Sequence, residues 1–332
     1  MVTIKDVAAA SGYSKAMVSY ALNNKGNLKE ETKQKILQAA KELGYVPNSA
    51  AAALRSKRKN VVGLILRDIS NPTFVQYANY IEKTLAEYGY RLSIFTTYGQ
   101  KRVNDAIISF CGGGRLDGLI YSVVALDEKT LTSINQYSTN SVVLSVSEVS
   151  NVEYGAYIAT EHLLGQNHSI VAHIGSPGNH PNSNFMINGY KRALKVHGKA
   201  FSPDLIVQGG YDLEDAEKAA EKLIRKWGVP LAIFTASDYA AFGVLNYLRR
   251  AKLKLGKDVF LVGWDDIPFA ESVGLTTIAI DHEAIARKSV YELLNELEPN
   301  IELPSINIPD YELIVRESCH EESGNLLKNG CH

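Results

Sequence analysis

Lys15, Ala16, Ser19, Tyr20 and Asn23 fall on one side of a short segment that begins at Ser14. Together they offer an ammonium, a hydroxyl, a phenol and an amide beside an alanine small enough for close approach. Groups of that kind at helical spacing can hydrogen-bond to base edges and phosphates in the major groove of DNA. The same face is too small and polar to be core. Its reverse, Met17, Val18, Ala21 and Leu22, has the apolar period of a helix that packs inward, and Ser14 is predicted to cap it. A second short helix is expected just ahead. There Thr3 can cap with Asp6 three residues on, a variant of the capping box, and Ile4, Val7 and Ala8 form one apolar stripe. Gly12 supplies the turn. The spacing is that of a helix-turn-helix, although two short amphipathic helices also occur as pieces of ordinary bundles.

The elements that follow bear on that choice. A third helix is predicted over residues 30–43, burying Ile36, Leu37, Ala40 and Leu43, ending at Gly44 and closed off by Pro47. Three helices this close together make a small head. Residues 48–60, NSAAAALRSKRKN, come next, with Asn48 as the cap of an alanine-rich helix whose exposed leucine, Leu54, precedes Arg55, Lys57, Arg58 and Lys59. A solvated linker would account for the charges but not for Leu54. Residues 1–60 hold 11 Lys+Arg against 4 Asp+Glu, a charge of +7, and the remainder holds 24 against 32, or −8, within a net charge of −1. A basic head on an acidic body implies a polyanionic partner for the head alone.

At 332 residues the chain is too long for one ordinary core and implies two or three compact units. From Val61 the pattern alternates. Apolar runs suited to buried parallel strands, VVGLIL, RLSIFT, DGLIYS, SVVLSV, IVAHIG, LIVQG, LAIFTA and VFLVGW, are separated by helical stretches such as residues 74–88. The expectation is an α/β body of two doubly wound parallel sheets with a cleft between them. In open parallel sheets ligands sit beyond the carboxyl ends of the strands, where Arg67, Asp68, Ser176, Ser237, Asp238, Asp265 and Asp266 fall. Ser and Asp after strands also serve as helix caps and turn formers, and about half of these are expected to do only that.

No enzyme signature stands out. There is no GxGxxG opening a helix, no GxxxxGK[ST] and no GxSxG, and Gly112, Gly113 and Gly114 lie between a helix and a strand, the reverse of a phosphate-cradling loop. His162, His168, His173, His180 and His197 lack metal-ligand spacing. Cys111, Cys319 and Cys331 form no disulfide framework, consistent with a reducing compartment. The pairs Cys319-His320 and Cys331-His332 would chelate poorly as adjacent residues, so a frayed tail without metal is expected, and no cofactor. The charged N-terminus is unlike a signal peptide and no run approaches a membrane span, so a cytoplasmic location is expected.

The order TIKDVA, GYSKAMVS, LNNKG, EETKQKILQAAKELGYVPN and then ALRSKR resembles the lac-repressor (LacI/GalR) family of bacterial transcription regulators. The resemblance continues through DISNPTF, GAYIATEHLL, NGYKRAL, ASD and VGWDDIP to near the C-terminus. The head motif is highly specific; the later ones are individually loose but occur in the right order. It implies a helix-turn-helix head over residues 1–46, a hinge helix and linker over 47–60, and a core like the periplasmic sugar-binding proteins over 61–332, whose two subdomains close on an effector. Relatives bind DNA as homodimers, so a pseudopalindromic operator is expected, and the tail lacks the heptads that would make tetramers.

By position in the family motifs, Lys15, Ala16 and Tyr20 correspond to the residues that choose bases and Leu54 to the leucine that wedges into the central base step from the minor groove. Thr3, Ser14, Ser19, Asn23, Lys25, Asn48, Ala51, Lys57 and Arg58 complete the expected DNA contacts. Tyr20 stands where relatives often have arginine and cannot make the bidentate guanine contact. The expected effector contacts are Asn71, Phe74, Tyr211, Ser237 and Asp265, with Arg67 and Asn184 beside them. Three departures bear on the effector. The arginine that many sugar-responsive relatives carry before the Gly-Tyr pair is here Met186 or Asn184, residues 146–151 look shortened, and Arg67 replaces a frequent proline. The resemblance implies a repressor of carbohydrate or related catabolic genes. A solute-binding protein is opposed by the head, and an α/β enzyme by the missing motifs.

Overall fold

A computed structural model describes residues 2–22, 28–45, 59–97, 105, 107–108, 111–122, 128–137, 140–144, 149–176, 180, 182–209 and 212–319. The chain divides into two compact units, residues 1–59 and 60–332. Among the described residues no helix is long and apolar enough to cross a membrane.

The first unit contains α1 (Ile4–Ser11), α2 (Lys15–Leu22) and α3 (Glu30–Glu42). The amide and hydroxyl of Thr3 both donate to Asp6 Oδ2, at 2.7 and 2.8 Å, which fixes the start of α1. Gly12 then takes a left-handed φ of 75°, a conformation that costs glycine little, and its amide closes α1 on the Ala8 carbonyl. Ser14 Oγ accepts from the Met17 amide at 3.3 Å as α2 begins. Val7, Val18, Ala21, Ile36 and Ala40 are buried together, one cluster drawn from all three helices. One expected member is different. Leu43 is 37% exposed, because the chain turns at Gly44 and Tyr45 folds back, its amide on the Ala40 carbonyl and its side chain against the cluster.

The second unit holds two sheets. β1 (Val61–Leu66), α4 (Pro72–Glu87), β2 (Arg91–Thr96), β3 (Gly118–Ser122), α5 (Glu128–Asn135) and β4 (Asn140–Leu144) supply the first, an all-parallel sheet in the order β2-β1-β3-β4. Next come α6 (Val149–Gly165), β5 (Val171–Gly175), α7 (Ser183–Val196), β6 (Ile206–Gln208), α8 (Leu213–Trp227), β7 (Leu231–Thr235), α9 (Asp238–Ala251), β8 (Val259–Asp265), α10 (Pro268–Ser272) and β9 (Thr276–Ala279). Then α11 (His282–Leu297) returns to pack on α4, β3 and β4 of the first sheet. Finally β10 (Glu312–Ile314) crosses over to pair with β9, giving the second sheet the order β10-β9-β8-β7-β5-β6.

Every residue of β5, β7 and β8 is buried, as strands covered by helices on both faces must be, and this is why they read as unbroken apolar runs. The expected alternation is present, with two differences. β9 and β10 are additional strands, and β10 runs antiparallel, so the second sheet is mixed. Cys319 also departs from the expected frayed tail. It is buried in a 3-10 turn over Glu317–Cys319, its Sγ 3.2 Å from the Leu261 carbonyl.

Candidate functional site

On the first unit, α2 is buried through Val18 and Ala21, while Lys15 and Ala16 are exposed, Ser19 is half-buried and Tyr20 is 51% exposed. A phenol left this open on a helix of two turns is not packing the head. Thr3 and Ser14 are exposed and already engaged as caps, so they bring the helix N-termini, with their free amides, to the same surface as candidate phosphate contacts. Asn23, Lys25, Asn48, Ala51, Leu54, Lys57 and Arg58 lie outside the described residues, as does most of the hinge expected at 47–60.

In the second unit the carboxyl ends of β1 and β8 meet. Beyond β1, Asp68 Oδ1 accepts from the Ser70 amide and hydroxyl at 2.9 and 2.6 Å and from the Asn71 amide at 3.2 Å, shaping the turn into α4. Arg67 leans back on this turn, its Nε 3.5 Å from Asp68 Oδ2. Asn71 caps α4 by accepting from the Thr73 amide at 3.0 Å, and Phe74 is half-buried one residue further on. Thr73 is the contact between sheets: its hydroxyl donates to Asp265 Oδ2 at 2.9 Å, and both residues are buried.

The remaining candidates divide into caps and site. Ser237 Oγ accepts from the Ala240 amide at 3.0 Å and so caps α9. Asp238 accepts from Thr277 Oγ1 at 2.6 Å and from the Ile267 amide at 2.9 Å, with Gly263 so close that a Cβ there would strike its carboxylate. Burial lifts the Asp238 pKa to about 7 against the pull of those hydrogen bonds. Asp265 is pushed well above the ordinary carboxylate range, first by burial and then by the neighbouring Asp238 charge, with the Thr73 hydroxyl opposing. A carboxylate so poorly compensated gains from any further hydrogen-bond donor brought to it. Asn184 is exposed on the first turn of α7, and no contact joins it to this group; Tyr211 lies outside the described residues.

Two participants carry no signal in the sequence. Thr73 reads as an ordinary first-turn residue, and His282, whose Nε2 lies 2.8 Å from the Asp265 carbonyl, stands apart from the other histidines. Their partners are distant in the chain, so no local spacing points to them. Among the described residues no cluster of three or more His, Cys, Asp or Glu could hold a metal ion.

Residues 3–48 match the family described as bacterial regulatory proteins, lacI family, and residues 160–319 match a periplasmic binding protein-like domain. The HTH-type transcriptional regulator DegA of Bacillus subtilis is 29% identical over 290 residues, covering 83% of this chain and 86% of DegA. The ribose operon repressor of Halalkalibacterium halodurans is 29% identical over 328 residues, covering 96% of this chain and 97% of that protein. A solved lac repressor dimer bound to operator and the anti-inducer ONPF superposes with a TM-score of 0.77 at 22% identity, covering 96% of this chain and 99% of that one, which is a likeness of fold.

Proposed function

We infer that this chain, which belongs to the lacI family of bacterial regulatory proteins, is a DNA-binding transcriptional repressor under allosteric control by a small molecule. The observation that carries the reading is α2: a short helix whose inner side fills the head and whose outer side presents Lys15, Ala16, Ser19 and Tyr20. The operator is double-stranded, and two copies of the chain reading it as a homodimer call for a pseudopalindrome. The hinge over residues 47–60 supplies Leu54 as a minor-groove wedge and Lys57 and Arg58 as phosphate contacts. No catalytic role is assigned, and the protein works in the cytoplasm, where its operator is. An electrophoretic shift with DNA from upstream of its own gene tests this. A retarded band that survives excess unrelated DNA is expected, and equal competition by any sequence would defeat it.

The effector meets the carboxyl ends of the strands, with Asp265 accepting from its hydroxyl groups and Phe74 and Tyr211 offering flat walls to an apolar ring face. The chemistry around Asp265 favours a neutral, hydroxylated molecule of the sugar class. A molecule with an added phosphate or carboxylate requires Arg67, which would have to turn away from Asp68. Calorimetric titration of neutral sugars and their phosphates against wild type and Arg67→Ala distinguishes the two. The neutral reading expects unchanged affinity in the variant, whereas a loss confined to the phosphates would place Arg67 on an anion.

The mechanism is linkage. An effector bound with different affinity by two conformations of the core shifts the dimer between a state whose hinges order on DNA and one whose hinges do not.

A further inference from the structure

β8 ends in two consecutive residues, Asp265 and Asp266, with φ of 116° and 49°, a backbone region that L side chains rarely adopt. Asp266 is tied from beyond β10, its Oδ1 2.8 Å from the Arg316 guanidinium. Asp265 is held from the opposite sheet. Its carboxylate accepts from Thr73 Oγ1 of α4, and its carbonyl lies 2.8 Å from Nε2 of His282, the first residue of α11. Those two helices pack on each other and belong to the first sheet, while β8 lies in the second. A carbonyl oxygen only accepts, so His282 Nε2 must carry the hydrogen.

The ring is buried and meets Tyr77 of α4 edge to face, with centroids 4.9 Å apart. In the neutral form Nδ1 is then an unprotonated acceptor, and no hydrogen-bond partner reaches it among the described residues. The titratable groups around the ring are Asp281 from its own helix, Asp265 and Asp266 from the end of β8, and Tyr77 from α4. Burial outweighs the aspartates and keeps the imidazole below its ordinary pKa. An uncharged ring held between two helices and a strained corner acts as a strut.

We propose that His282 is a positioning residue for the effector site. In its neutral, Nε2-protonated form it holds the Asp265 carbonyl, sets where the Asp265 carboxylate points, and couples a contact made at that carboxylate to α4 and α11 on the other sheet. This rests on the reading that an effector meets Asp265. If the ring served only as packing, phenylalanine would do the same work.

The test uses the full chain in two arms. In the first, nitrogen NMR of histidine-labelled protein identifies the His282 resonances by their loss in His282→Phe. The Nε2-protonated tautomer at neutral pH is expected, and an Nδ1-protonated ring or an imidazolium overturns the proposal. In the second, D-ribose, D-glucose and their monophosphates are titrated by calorimetry. For whichever binds wild type, His282→Phe should weaken affinity about five- to tenfold, the loss of one hydrogen bond. His282→Gln, which can place an N–H near the same point, should restore it to within about twofold. No loss in the phenylalanine variant, or equal loss in both, overturns the proposal. If none of the four binds wild type, the failure falls on the sugar-class reading, and the tautomer still decides the role of His282.

Discussion

His173 shows how a single residue fixes the acid limit of the second unit. It lies in β5, fully buried, stacked on Phe234 at 4.7 Å with Nδ1 3.0 Å from the Phe234 carbonyl, and burial lowers its pKa to about 4. The unfolded chain takes up this proton near pH 6.5, whereas the folded one does so only near pH 4. Unfolding is therefore accompanied by proton uptake between those values, and stability that is complete above pH 6.5 is lost as the pH falls toward 4. The shift corresponds to roughly 3 kcal/mol. In His173→Phe the constant cost of the missing hydrogen bond remains but the titration does not. The wild-type minus variant difference in unfolding free energy should accordingly be flat above pH 6.5 and fall by roughly that amount by pH 4. Parallel curves would mean that His173 is not buried neutral.

At the scale of elements, much of the architecture was legible because its signals are local. The capping pair Thr3 and Asp6, the turn at Gly12 and the strands from β1 to β8 follow from spacing and from runs buried on both faces. What was not legible depends on distant contacts. β9 and β10 are short, and the threonines of β9 are buried against the Arg316–Ser318 segment, a partner no periodicity reveals. The return of α11 to the first sheet, and with it His282 beside Asp265, is topology, to which local pattern is blind. Of the polar residues after strands, Asn71 and Ser237 serve as caps, the role expected of about half of them, while Asp265 is buried by a helix from elsewhere. The packing of α6 on α7 gives this scale its prediction. Gly189 approaches α6 so closely that a Cβ would strike the backbone at Glu153 and Tyr157. Neither backbone can yield as a flexible side chain would. Gly189→Ala should therefore cost about 1–3 kcal/mol and lower the melting temperature by several degrees. An unchanged transition would mean that the helices are not in such contact.

At the scale of the whole molecule, what matters is the division of charge: +7 on residues 1–60 and −8 on the rest. A neutral total would suggest indifference to polyanions, yet the head attracts DNA while the acidic body is repelled, so the head is selected as the contacting end. Binding should then be dominated by released counterions, with log K falling linearly in log salt by about 0.9 for each phosphate neutralised. If the dimer makes on the order of six to ten such contacts, affinity drops by about 10³–10⁵ between 50 and 200 mM salt. Individual side chains divide by role within that slope. Lys57→Ala or Arg58→Ala should weaken operator and unrelated DNA alike and shallow the slope by about one per site, because a phosphate contact carries no sequence. Lys15→Ala should instead change which operator is preferred, since Lys15 lies on the exposed face of α2. Fluorescence anisotropy over a salt series, on operator and scrambled duplexes, measures both. A flat salt response would remove the DNA reading altogether, and a Lys15→Ala variant that lost affinity equally on both duplexes would move that residue from the bases to the backbone.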